Sequence, residues 1–115
     1  MEPRRERRFY VQCPISIQGN QGVSSGVLYN LSSGGGAIES GARVQCGTIV
    51  TLRVHIPSLK EPIEVQQAEI TWKAGDDFGV QFVQLEAHER ERLNGVIEDM
   101  LQRIGRNQAQ RMHHA

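Results

Sequence analysis

Four arginines, Arg4, Arg5, Arg7 and Arg8, stand in the opening stretch EPRRERRF, and Asn30 opens a second polar stretch, NLSSGGGA. A guanidinium presents a planar fork of donors that meets a phosphate, or two adjacent acceptors on a base edge, with paired hydrogen bonds. Asn30, Ser32 and Ser33 add amide and hydroxyl groups that both donate and accept. From Phe9 to Ala42 the only charged residue is Glu39. Over the whole chain 13 Lys and Arg balance 13 Asp and Glu, for a net charge of zero. Any positive field is therefore local, which argues against a general polyanion binder with a basic face everywhere.

Other chemistry finds no such grouping. His55, His88, His113 and His114 are scattered over a strand, a helix start and the tail, and no two share metal-ligand spacing with a cysteine or carboxylate. Asp76 and Asp77 fall in AGDD, where acids are ordinary turn residues. Cys13 and Cys46 are too few and too far apart for a disulfide framework or a zinc site and read as buried thiols. SSGGGA lacks the lysine and following Ser/Thr of a phosphate loop and precedes a strand rather than a helix. On its own it reads as a tight turn whose glycines take positive φ. The expectation is a binding protein without catalytic or metal-ligating residues, not an enzyme.

The elements that must position these groups are mostly strands. At 115 residues with 38% hydrophobic and 23% charged content, the chain has the make-up of one soluble globular domain. No apolar run approaches the roughly 20 residues of a membrane span, and the basic N-terminus does not lead into a secretory signal, so a cytoplasmic site away from membranes is expected. Phe9, Val11, Cys13, Ile15 and Ile17 alternate with polar neighbours, the period of a half-buried strand, and Pro14 on the polar phase suggests an edge or a bulge. GNQG supplies a turn into SGVLYNL, and the glycine stretch leads into a third strand. TIVTLRVHIP alternates Val50, Leu52, Val54 and Ile56. IEVQQAEITW begins with Ile63 and Val65 in phase and resumes with Ala68, Ile70 and Trp72 one step out, predicting a β-bulge near Gln66 and Gln67. FGVQFVQ closes the set. The pattern is mainly β: a small six-stranded antiparallel barrel.

The period then changes to that of a helix. Leu93, Val96, Ile97, Met100, Leu101 and Ile104 form one apolar stripe over residues 85–105, with acids Glu86 and Glu89 at its start and Gly105 as the predicted C-cap. Residues 1–8 read as a flexible arginine arm, 1–105 as a single domain and 106–115 as a disordered tail.

If the first two strands pair through GNQG, Arg8 comes close to Asn30, and the basic arm meets the glycine turn at one end of the barrel. Guanine suits such a place: an arginine fork matches its O6 and N7, and an Asn oxygen accepts from its N1 and N2 donors. Phosphates call for arginine, and a flat base stacks on a guanidinium plane.

These residues resemble the PilZ domain, the bacterial receptor for cyclic di-GMP. Arg4 and Arg8 match its R-x-x-x-R motif, and Asn30, Ser32 and Gly35 match its (D/N)-x-S-x-x-G motif. EITW, FGVQF and the helix after FVQL are similar to its later strands and ending. The resemblance implies a six-stranded barrel with a flanking helix and a ligand held between the arm and the second motif. Arg4 and Arg8 would bind guanine and phosphate, with Arg5 and Arg7 adding field or stacking. Asn30 would accept from a guanine edge, Ser32 would bond to phosphate or base, and Gly35 would permit close approach; Ser33 beside them is a further candidate contact. Trp72 is the aromatic candidate for a base contact. Asn30 departs from the commoner Asp and contributes no negative charge.

The implied function is a stand-alone cyclic di-GMP receptor whose arm orders on binding and signals to a protein partner. The alternative is a degenerate PilZ-like interaction module that has lost the nucleotide. RNA or single-stranded DNA binding fits poorly, because 5% aromatic content and zero net charge give few stacking platforms and little phosphate attraction.

Overall fold

Strands that bury every second residue need a second apolar surface, and here the sheet supplies it by closing on itself. The computed structural model describes residues 7–113. Six strands, β1 (Phe9–Gly19), β2 (Gly22–Ser32), β3 (Gly35–Ser40), β4 (Ile49–Val54), β5 (Ile63–Ala74) and β6 (Asp77–Gln84), precede one helix, α1 (Ala87–His113). They form a closed antiparallel barrel in the order β1-β2-β3-β6-β5-β4.

The interior is made from the predicted alternation. Ile15 and Ile17 of β1, Leu28 and Leu31 of β2, Val50, Leu52 and Val54 of β4, and Phe78, Val80 and Phe82 of β6 are all buried. Leu28, Ile38, Leu52, Ala68 and Phe78 have no exposed surface at all, and each of the larger ones contributes roughly 1.5–3 kcal/mol of burial. Pro14 sits one residue beyond the β1–β4 ladder, which begins at Ile15; its carbonyl still accepts from His55 N–H at 2.9 Å, while the reciprocal bond of such a pair is one a proline cannot donate.

Two irregularities shape β5. Val50 pairs with Ala68 and Leu52 with Val65, so Gln66 and Gln67 face Thr51 alone, where the bulge is predicted. The Thr51 hydroxyl donates to Gln66 O at 3.0 Å and takes up one of the carbonyls the bulge leaves out of the ladder. A second shift falls between Ile70 and Trp72. It carries Trp72 out of the interior phase that the sequence assigns it, to 43% exposure.

α1 closes one end of the barrel with Leu93 and Val96, which join the core. The space left among Leu31, Val54, Phe82 and Leu93 is only about 10 Å³, so the barrel is filled and any ligand must bind on its outside. The helix continues through Gly105 to His113, where the sequence predicts a cap and a disordered 106–115. An interior glycine costs only about 1 kcal/mol relative to alanine, and Gln108, Ala109, Gln110, Arg111 and Met112 are good helix formers.

The two cysteines divide. Cys13 is buried on β1 and its thiol is pushed above the ordinary range by burial, whereas Cys46, expected inside, is exposed in the connection before β4. The folded protein should therefore react with a thiol reagent at Cys46 alone and at both cysteines in denaturant. Two fast thiols in the native protein would contradict the β1 packing.

Candidate functional site

The geometry of the site begins with the pairing of β1 and β2. Phe9 pairs with Leu31 and Tyr10 with Asn30, and this register brings the end of the arginine arm to the end of β2. Arg8 Nη1 donates to Asn30 Oδ1 at 3.4 Å, the contact anticipated from the hairpin. It is a long bond between exposed groups and holds them loosely. Asn30 Oδ1 keeps a second lone pair for another donor. Arg7 is exposed beside it, and Arg4 and Arg5 lie outside the described residues.

The strands fan apart at this corner. Phe9, Leu31 and Gly36 form one row across β1, β2 and β3, and Cys13, Leu28 and Ile38 form another. Between the rows β3 advances two residues, β2 three and β1 four. Each added residue is a bulge, and bulges raise local twist and re-aim side chains. The outcome is that Leu28 and Leu31 both point inward while Asn30, between them, stays on the outer face next to Tyr10, which is 91% exposed.

The glycine stretch has a different physical basis from the one its sequence suggests. Among the described residues positive φ occurs at Gly22, Gly47 and Gly75, not at Gly34, Gly35 or Gly36. Gly35 and Gly36 are required by close backbones. A Cβ on Gly35 would land on the carbonyl of Val80 in β6, and one on Gly36 on the carbonyl of Asn30 in β2. The role implied for Gly35, close approach of a ligand, thus coexists with a demand from the sheet itself. Ser32 is only 3% exposed, and its hydroxyl donates to Gly35 O at 3.2 Å across the turn. Ser33 is half-buried, and its carbonyl accepts from Arg90 Nη1 of α1 at 2.6 Å.

Trp72 lies on the same row as Asn30, three strands away. Asn30 pairs with Ala37, Ala37 with Gly79, and Gly79 with Trp72. Directly opposed residues share a face, so all four lie on the outer surface, with Asn30 and Trp72 on the order of 14 Å apart at the backbone. The indole lies over Gly79, back toward Asn30, and the small residues Ala37 and Gly79 form the floor between. The second bulge in β5 creates this arrangement, and the apolar pattern gives no sign of it. Arg90 is one charge of the run ERER, and nothing in its sequence neighbourhood marks it out.

At the opposite end of the barrel a polar cleft of about 760 Å³ lies between the β1–β2 turn and residues 41–45. None of the predicted site residues lines it, and its cations Arg43 and Lys73 share it with Asp76. Lys73 Nζ is already engaged by Gly75 O at 2.6 Å. Among the described residues no three His, Cys, Asp or Glu are grouped as metal ligands, and no helix is long and apolar enough to cross a membrane.

The family model for the PilZ domain matches residues 2–99. Among curated proteins none matches the sequence significantly. Solved structures share the fold. The Bacillus subtilis inhibitor of motility MotI/DgrA is 18% identical with a TM-score of 0.68, over 89% of this chain and 53% of its own. YcgR from Escherichia coli in complex with c-di-GMP is 18% identical with a TM-score of 0.76, over 95% of this chain and 50% of its own. The PilZ domain of CeSA from a cellulose-synthesizing bacterium is 17% identical with a TM-score of 0.64, over 82% of this chain and 97% of its own. The chain thus spans about half the length of MotI and YcgR.

The Trp72 arrangement has a direct test in Gly79→Ala. A methyl group there occupies the place of the indole, so the ring must leave. As Trp72 is the one tryptophan, its emission maximum should shift to longer wavelength, with a loss of about 1–3 kcal/mol in urea denaturation. An unchanged emission maximum would show that the ring does not rest on Gly79.

Proposed function

The chain belongs to the PilZ domain family, and from that premise we propose that it is a receptor for cyclic di-GMP in the bacterial cytoplasm, acting by binding rather than by catalysis. The observation that carries this reading is the β1–β2 register, which sets Arg8 against Asn30 beside the Ser32–Gly35 turn. YcgR, in complex with c-di-GMP, has this fold, which supports the reading.

The residues divide the ligand between them. Arg8 offers its fork to guanine O6 and N7 or to a phosphate, and Asn30 Oδ1 accepts from the guanine N1 and N2 donors. Arg4 completes the first motif from the arm, Arg5 and Arg7 add positive field or stacking, and Ser33 adds polar contact at the turn. Ser32, whose hydroxyl donates to Gly35 O, shapes the turn and adds a bond to phosphate or base. Trp72, across the floor of Ala37 and Gly79, is the surface for the second base. The dinucleotide's two phosphates bring negative charge to the local positive field of the four arginines. Ordering of residues 1–8 over the barrel would then change the face presented to a protein partner, such as a component of motility, pili, polysaccharide synthesis or gene regulation.

The second reading is a PilZ-like interaction module that does not bind nucleotide. It is favoured by one fact: Gly35 and the Ser32–Gly35 bond serve the sheet whether or not a ligand is present.

Calorimetric titration with cyclic di-GMP separates the two. The wild type should bind at micromolar or tighter affinity, and Arg8→Ala and Asn30→Ala should each weaken it about tenfold, the scale of one lost charge-assisted hydrogen bond. A folded wild type that releases no heat overturns the receptor reading in favour of the interaction module.

A further inference from the structure

Arg90 reaches the ligand turn from an element that contributes to neither motif. It lies in the first turns of α1, with its N–H bonded to Glu86 O at 2.9 Å, and its side chain crosses to Ser33 O at 2.6 Å in a half-buried position. A charged donor at that distance belongs to the strong class of hydrogen bonds.

Three hydrogen bonds among the described residues tie the turn. Ser32 bridges it internally to Gly35 O, and Gly34 O accepts Phe82 N–H at 2.8 Å, joining it to β6. Arg90 supplies the third tie, the one that holds the Ser33–Gly34 peptide. A trans peptide points its C=O and N–H in opposite directions. With the Ser33 carbonyl drawn toward α1, the Gly34 N–H is aimed away from the helix, and its direction is set by Arg90.

A neighbouring arginine provides the contrast. Arg92 donates to Glu61 O at 2.5 Å, to Pro62 O at 3.0 Å and to the buried Glu89 carboxylate at 2.8 Å. It fastens the same helix to the β4–β5 connection, and none of these bonds goes to the ligand turn. The two residues share an element and a charge and differ in what they hold.

We propose that Arg90 is a positioning residue for nucleotide binding, fixing the Ser32–Gly35 turn in its ligand-ready form through the Ser33 carbonyl. This rests on the receptor reading above. It predicts a specific pattern in calorimetric titrations with cyclic di-GMP. Arg90→Ala should bind about tenfold more weakly, the scale of one charged hydrogen bond. Arg90→Lys, which keeps one charged donor for one carbonyl, should recover to within about threefold of the wild type, on the same scale. Arg92→Ala should bind within about twofold of the wild type while melting at a lower temperature, the ordinary result of losing helix anchorage.

Salt separates position from charge. At 1 M ionic strength the Debye length is about 3 Å, so a loss due only to a missing distant charge would vanish, whereas a misplaced turn remains misplaced. The tenfold loss in Arg90→Ala should therefore persist in 1 M salt. Equal binding by wild type and Arg90→Ala, a defect that disappears in salt, an equal defect in Arg92→Ala, or no recovery in Arg90→Lys each overturns the proposal. If the folded wild type itself does not bind, the receptor reading fails and this one with it. If the wild type binds and only the Arg90 pattern is absent, this one fails alone.

Discussion

The pairing of Phe9 with Leu31 and of Tyr10 with Asn30 is the constraint on which both the barrel and its site depend. Side chains alternate with a period of two, so a slip of one residue in this pair would send Asn30 toward the core and Leu31 toward water. Leu31 is nearly fully buried against the end of α1, and Phe9 beside it is buried as well. The hydrophobic interior thus fixes the register, and the register fixes which polar groups meet outside. The site inherits its alignment from the core.

α1 does for the end of the barrel what the ladders do for its wall. Leu93 and Val96 fill the opening, and two arginines on the same helical stretch fasten the connections around it. Glu89 is buried in this corner, where a lone carboxylate would carry a large desolvation penalty. Arg92 at 2.8 Å and His88 at 3.5 Å supply its partners. The arrangement places charged groups at loops whose backbone carbonyls would otherwise lack donors.

Much of this was legible in the sequence because burial leaves a period. The apolar alternation in β4 and β6 marks their inner faces, and the bulge at Gln66 and Gln67 shows as a slip between Val65 and Ala68. The hairpin that joins Arg8 to Asn30 follows from turn chemistry at GNQG. The second slip in β5 was hidden, since Trp72 is apolar and reads as in phase whichever way it faces. Gly105 reads as a helix end because propensity weighs one residue against another, and the helix formers after it read as tail. Cys46 reads as buried by its type alone and lies outside. Arg90 meets Ser33 across 57 residues, a distance over which no local pattern carries information. Arg4 and Arg5 remain known from their spacing, outside the described residues.

Gly35 changes how the second motif should be interpreted across such domains. The backbone of Val80 occupies the space a side chain would need, so a relative stripped of its arginines would still have to keep this glycine in order to fold. Within the motif, then, the glycine certifies the architecture, and the diagnosis of nucleotide binding falls to the residues that the sheet leaves free to vary, Asn30 on the strand and the arginines facing it.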